Sequence, residues 1–319
     1  MNSNNPLVKI KHNFVLDRKI LFIDSNDRDK ERWPNPAEFE INCPQNYNNV
    51  ESLRLVNIML PNFFYNISEQ LQTNKMRVDF SGSLRNITLE DGCYNYSQLQ
   101  EALQAKFIAI DNKFDVCYNP ISRKFTFVYT QTHGVVFNFR FDLPNDYDCI
   151  KDNYKTDVYA QHSNWGLGYI LGFEKKKYSS YGFPHNSHTH QQINSPNPID
   201  LEDNKCVYIE LEKYNKCDEI KPFLYYNYSN PSSGIVNSAF AKIPIYLFQD
   251  NKHLVNDGYF ENVSYYQPPI DKIAKFKLKF RYHNGMLVDF HNYNVSLSLE
   301  INQLRNEMNN YDVRTPFKI

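Results

Sequence analysis

The stretch KFKLKFRYHNGMLVDF, residues 275–290, decides the fold class because the character of its side chains alternates along the chain. The alternation places four basic side chains on one face, Lys275, Lys277, Lys279 and Arg281, and four apolar ones on the other, Phe276, Leu278, Phe280 and Tyr282. A period of two is typical of a β-strand with one face on a core and the other outside. The stretch therefore predicts a half-buried strand.

The turn that follows this strand can be predicted from the same alternation. A two-residue loop at 284–285 would place apolar side chains opposite polar ones. A three-residue loop at 283–285, with Gly285 left-handed, instead sets Lys279 across from Asp289 and pairs apolar with apolar: Tyr282 with Met286, Phe280 with Val288, and Leu278 with Phe290. We predict the three-residue loop. If the segment is instead a corner between two sheets, these pairs do not form.

Other segments outside residues 75–204 show similar strand patterns. They are KILFID (19–24), FEINC (39–43), SLRLVNIMLP (52–61), VYIEL (207–211), AFAKIPIYL (239–247) and NVSLSLEI (294–301). With the opening stretch they give about eight strands, and no helical pattern interrupts them. Eight antiparallel strands fit a two-sheet jelly roll. The predicted fold is mainly β, a single jelly-roll β-sandwich.

Residues 75–185 predict a small α+β insertion domain. A helix is predicted from a variant capping box at Ser97 and Gln100, with Leu99, Leu103 and Phe107 on one face. Its strands are MRVDF, NITLE, a hairpin of FDVCY and KFTFVYT, and VVFNFRF with alternate phenylalanines. Residues 186–204 lack a periodic apolar face and predict a surface loop or linker. The jelly-roll domain then comprises residues 1–74 and 205–319.

Composition and charge restrict the function. The 319 residues carry 35 basic and 36 acidic side chains, a net charge of −1, so no overall field attracts nucleic acid or an anionic membrane. No apolar run has the length of a membrane span, and residues 1–14 lack the apolar stretch of a signal peptide. We expect a protein on the cytosolic side, with no membrane span and no specific nucleic-acid partner.

No motif in the sequence predicts catalysis or a cofactor. The six cysteines show neither C-x-x-C nor zinc-ligand spacing and are interpreted as reduced structural thiols. Nucleophile-elbow and H-E-x-x-H motifs are missing from the sequence. We therefore predict no catalytic residue, no metal site, no cofactor and no enzymatic activity.

The basic face of residues 275–281 raises the question of a phosphate-binding groove. Its aromatic residues lie on the core side and could not stack on bases. Glu210 and Glu212 in VYIELEK could lie on a neighbouring strand and pair with the lysines. The basic face is interpreted as a solvated or subunit-facing sheet surface.

Four segments together resemble the jelly-roll penton and minor capsid proteins of nucleocytoplasmic large (giant) DNA viruses, which have icosahedral capsids. They are IDSNDRDKERWPNPAEFEI (23–41), SLRLVNIMLPN (52–62), NSAFAKIPI (237–245) and KFKLKFRYHNGMLVDF (275–290). The resemblance covers most of the chain outside the insertion. It implies a structural virion protein with one jelly roll in the capsid shell and the insertion projecting from it.

The resemblance implies a penton, a homopentamer at the five-fold vertices, with the major capsid protein and other minor capsid proteins as partners. It also implies a location in the virion after assembly in the host cytoplasm. Alternatives are another minor capsid (cement) protein bridging major capsid subunits, and a glycan-binding jelly-roll module. Six residues are predicted to form the subunit interface: Asp27, Arg28, Trp33, Lys275, Lys277 and Arg281. Charge reversal at Lys277 and Arg281 is expected to reduce oligomerisation and leave the monomer folded.

Overall fold

The computed structural model of the chain describes residues 14–61, 64–131, 135–142, 166–185, 188–201, 206–220, 236–245, 253–255, 263–283 and 285–306. The fold is mainly β, as the sequence predicts. The helices are α1 (Tyr96–Ile108) and α2 (Leu167–Ile170), and a 3-10 turn spans Ser25–Asp27. No helix among the described residues is both long and apolar enough to cross a membrane.

The strands run in chain order as β1 (Phe14–Asp24), β2 (Glu38–Pro61), β3 (Lys75–Phe80), β4 (Ser83–Thr88), β5 (Phe114–Asn119), β6 (Lys124–Gln131), β7 (Phe137–Arg140), β8 (Lys177–Ser179), β9 (Tyr181–His185), β10 (His188–Asn194), β11 (Cys206–Leu211), β12 (Cys217–Ile220), β13 (Val236–Ala239), β14 (Ala241–Pro244), β15 (His253–Val255), β16 (Val263–Arg281) and β17 (Ser296–Asn306). Two separate hydrophobic clusters form from them, one within the predicted jelly roll and one mainly within the predicted insertion. The exact domain boundaries stay a prediction.

The larger sheet has the order β1-β17-β2-β16-β11-β14, with β15 also paired to β2. All its pairs are antiparallel, and β2 is a single long strand where the sequence predicted two. The first half of β2 pairs only with β16, whereas its second half also pairs with β17. Register shifts interrupt the pairing of β2 with β16 and with β17, and such irregularities bend strands. Both halves of the sheet contribute to one core, consistent with a jelly-roll sandwich.

The turn after β16 has the predicted register. Tyr282 N donates to Met286 O at 2.9 Å, and Val288 N donates to Phe280 O at 3.1 Å. Gly285 has φ +91°, the left-handed conformation that the three-residue loop requires. This confirms the first two predicted cross-strand pairs, although the returning segment forms only a short bridge. The predicted pairs of Leu278 with Phe290 and of Lys279 with Asp289 are wrong, because β2 and β11 occupy both edges of β16 at these residues.

The second cluster lies between two four-stranded sheets, β5-β6-β10-β9 and β4-β3-β7-β8. Its centre is aromatic: the rings of Phe127 and Phe139, one from each sheet, pack edge to face with centroids 4.9 Å apart. Edge-to-face packing places the positive ring edge on the negative face of its partner. The alternate phenylalanines of VVFNFRF are therefore core residues.

Helix α1 closes one edge of this unit. Leu99, Leu103 and Phe107 are fully buried, which confirms the predicted face. The predicted cap at Ser97 is wrong, because the capping box is formed by Asn95 and Gln98. Its Asn95 Oδ1 accepts from Gln98 N at 2.9 Å.

The predicted surface loop at 186–204 contains a sheet strand instead. Strand β10 lies between β6 and β9, and its Ile193 is opposite Phe127 and buried. The sequence HTHQQIN shows no alternation of apolar and polar residues, because Ile193 is its only large apolar residue. Pairing on both edges, which the sequence does not reveal, stabilises this polar strand.

Candidate subunit-contact surface

The charged loop after β1 begins with a tight turn. Asp24 caps the 3-10 turn, its Oδ1 accepting from Asn26 N at 2.7 Å. Asp29 likewise accepts from the backbone of Glu31 at 3.1 Å. Such carboxylate-to-backbone bonds favour turns over regular structure. They leave the predicted contact residue Asp27 exposed to solvent.

Arg28 does not lie on the surface, contrary to the interface prediction. Its side chain donates to the carbonyl oxygens of Ser25 (2.6 Å), Trp33 (2.9 Å) and Pro34 (3.0 Å). The residue is only 8% exposed. A guanidinium has five donors in a fixed fork, which suits it to bind several loop carbonyls at once. Arg28 therefore holds the loop together from within.

Trp33 joins the charged loop to the basic strand, two regions that the sequence predicted separately. Its ring is half-buried against the jelly-roll core, and the Nζ of Lys277 lies 5.3 Å from the ring centroid. Arg32 approaches the same ring at 5.6 Å. Cation–π contacts of this kind favour a fixed arrangement of the three side chains. Trp33 and Lys277 thus belong to one region, the loop–strand surface. We include in it Lys275, on the same face of β16, and Asp27, on the same loop as Trp33.

Carboxylates on the two neighbouring strands neutralise the lysines of this surface. Lys275 pairs with Glu40 of β2 at 2.9 Å. Lys277 pairs with Glu38 at 3.5 Å and with Glu212, just beyond β11, at 3.4 Å. Burial alone would lower the pKa of Lys277, but its bonds to these carboxylates raise it above the ordinary value. The strand is therefore a ladder of paired charges, and the predicted pairing of Glu212 with a lysine is confirmed.

Arg281 ends the basic strand but lies inside the protein. It is 1% exposed and pairs with Glu210 and, at 2.6 Å, with Glu219 of β12. Burial alone would lower the pKa of Arg281, but the two carboxylates raise it above its ordinary value. Glu219 also accepts from His283 at 2.5 Å. Arg281 cannot reach a neighbouring subunit from this position, so its predicted interface role is wrong.

Two further surfaces were not singled out from the sequence. One is the outward face of β1, where Leu16, Ile20 and Phe22 are 53%, 41% and 78% exposed. We call it the β1 face. The sequence contains a sign of this face, because apolar side chains occur on both faces of β1. β1 is nevertheless the first strand in the order of the larger sheet. The other surface is a cavity of about 450 Å³, the β12–β14 groove, lined in part by Ile220, Phe240 and Asp218.

The described residues also bear on metal binding. No three His, Cys, Asp or Glu side chains among them are placed to hold a metal ion. Arg281 is bound to Glu210 and Glu219 within the protein. The loop–strand surface presents paired charges and the β1 face presents apolar side chains. Both are typical of surfaces that contact another protein.

Comparison with known proteins gives the following similarities. Residues 8–128, less than half of the chain, match the profile of a family of unknown function, DUF5901. No match was found among curated proteins. The crystal structure of the selenomethionine-labelled mavirus penton protein is similar at 12% identity and a TM-score of 0.42, covering 91% of this chain and 99% of that one. A chain of the Sputnik virophage, from a 3.5 Å cryo-EM structure, is similar at 12% identity and a TM-score of 0.44, with 90% and 98% covered.

Proposed function

We propose that this chain is a structural capsid subunit, a penton protein that forms homopentamers at the five-fold vertices of an icosahedral virion. The resemblance of four sequence segments to penton and minor capsid proteins motivates the proposal. These segments map to the larger sheet and its adjoining hairpin, in β1, β2, β13, β14 and β16. They therefore belong to the predicted jelly roll and not to the insertion.

The observation that carries the proposal is the β1 face. On an antiparallel sheet the outward positions of an edge strand are normally polar, because water covers them. Here Leu16, Ile20 and Phe22 alternate along one exposed face, and only Arg18 interrupts them. A strand that is apolar on both faces is typical of one covered on both. A subunit whose neighbours cover this face explains the pattern.

The low net charge supports assembly from identical copies. With a net charge of −1, copies of the chain can approach one another without strong mutual repulsion. On this proposal the jelly roll stands in the shell, the insertion of residues 75–185 projects from it, and the major and other minor capsid proteins surround it. The protein would be located in the virion after assembly in the host cytoplasm, and its role would be structural and not catalytic.

The test is the mass of the purified full-length chain in solution, measured by sedimentation velocity under reducing conditions over a hundredfold range of concentration. The proposal predicts a reversible transition to a single larger species, without any partner. A chain that remains a monomer throughout would contradict self-assembly and favour the cement protein, which bridges other subunits. Binding to a glycan array without self-assembly would instead favour the glycan-binding module.

A further inference from the structure

Polar side chains beside the apolar residues of the β1 face are already held in place by contacts within the single chain. Glu300 of β17 lies beside Ile20 and pairs with both Arg18 (2.5 Å) and Arg54 (2.6 Å). Its second oxygen accepts from Asn302 at 3.1 Å. Two guanidinium groups share one carboxylate, so the face has an excess of positive charge between its apolar side chains. Exposed aromatic and arginine side chains together are typical of the centre of a protein interface.

The β12–β14 groove combines an apolar wall with an exposed carboxylate. Its wall is apolar, with Ile220 63% exposed beside the buried Phe240. At its rim, Asp218 is exposed to solvent. Lys242 also lines the groove and is exposed, with its Nζ 5.6 Å from the ring centroid of Tyr208, so the groove carries charges of both signs. The groove therefore offers apolar surface next to an exposed carboxylate.

The two surfaces are different parts of the chain, as a ring requires. The β1 face lies on the first strand in the order of the larger sheet, and the groove is lined by residues of β12, β13 and β14 and by Leu55 of β2. A ring of identical subunits needs two different, mutually complementary surfaces on every copy, because each copy contacts its two neighbours through different sides. A two-fold dimer, in contrast, would use one surface twice.

We infer that the β1 face of one copy docks into the β12–β14 groove of the next copy, with Phe22 entering the groove and Arg18 facing Asp218. This inference rests on the proposed function and names the contact that would build the oligomer. The occupant of the groove is a second copy of this chain, because the β1 face supplies an exposed aromatic side chain for the apolar wall and a guanidinium for the Asp218 carboxylate. The cavity of about 450 Å³ is large enough for an aromatic side chain, the largest exposed group of the β1 face.

The native thiol of Cys217, which lines the groove, allows a direct test. Full-length Phe22→Cys protein is treated with a short thiol-to-thiol cross-linker at a concentration where this variant itself self-associates, and the linked peptides are identified by mass spectrometry. We expect a link between residue 22 of one chain and Cys217 of another, and a ladder of covalent oligomers. The link should disappear in Phe22→Cys/Cys217→Ser. Ile121→Cys, at an exposed hairpin tip of the insertion, is the matched control and should give no link to Cys217.

The outcomes separate this inference from the proposed function. Assembly that gives no link from residue 22 to Cys217 overturns the docking contact and leaves the penton proposal standing. A native chain that never assembles overturns both. Phe22→Ser should weaken self-association at least tenfold, whereas Ile121→Ser should leave it unchanged; equal effects of the two substitutions also overturn the inference.

Discussion

Replacement of Arg281 by methionine should destabilise the protein strongly, although the sequence places this residue in a row of surface lysines. Methionine keeps much of the length of the side chain and removes its charge. Glu219, which is only 7% exposed, then loses the guanidinium that binds it at 2.6 Å, and Glu210 loses the same partner. Leaving a buried charge without its partner costs about 3–5 kcal/mol. We expect a loss of this size in the free energy of unfolding.

Lys275→Met is the matched control on the same strand. Lys275 also pairs with a glutamate, at 2.9 Å from Glu40, but its side chain is 57% exposed. Exposed ion pairs contribute about 0–1 kcal/mol because water screens the charges. The comparison therefore sets a buried cation with two carboxylate partners against an exposed cation with one.

Urea unfolding followed by tryptophan fluorescence measures both effects. The chain has two tryptophans, so a Trp165→Phe background leaves Trp33, which packs on the jelly-roll core, as the reporter. With a urea slope of about 2–3 kcal/mol/M, Arg281→Met should lower the midpoint by roughly 1–2.5 M. Losses of similar size in the two variants would refute the reasoning. So would full stability of Arg281→Met with reduced oligomerisation, because that result would put Arg281 at a surface.

Three further predictions concern stability. Gly172→Ala should destabilise the insertion by at least about 1–3 kcal/mol, because Gly172 has φ +81° and a Cβ there would clash with the backbone oxygen of Asn197. Unchanged thermal unfolding would contradict this. Gln104→Ala should cost about 1–3 kcal/mol by removing two hydrogen bonds to the backbone of β5, measured by urea unfolding against Glu101→Ala on the exposed side of α1. Glu300→Gln should flatten the acid limb of the stability–pH curve. Burial alone would raise the pKa of Glu300, but the bond from Arg54 and the neighbouring groups lower it overall below 4.5, so its stabilisation is present above that pH and is lost as the pH falls; an unchanged acid limb would refute this.

Local alternation was sufficient to predict much of the fold. Phe276, Leu278 and Phe280 are fully buried, and the turn after them has the predicted register. Leu99 and Leu103 face a core at helical spacing. These features depend on residues close together in the chain, where periodicity and turn chemistry determine which side chains share a face.

The features that were missed depend on distant partners. Arg281 is buried because Glu219, 62 residues earlier, lies on a hairpin against the end of β16. Strand β10 forms because β6 and β9 supply partners for both of its edges. Neither arrangement leaves a period in the local sequence. The β1 face did leave one, in the apolar residues on both faces of KILFID, but its position at the end of the sheet emerges only from the strand order.

The measurement that tests the central proposal most directly is the symmetry of the assembled particle. Two-dimensional class averages from electron microscopy, recorded on the largest species that the purified chain forms, give the number of copies in the ring. A penton predicts five-fold averages and a native mass five times that of the 37.8 kDa chain. Averages with two-fold, three-fold or six-fold symmetry would contradict the account.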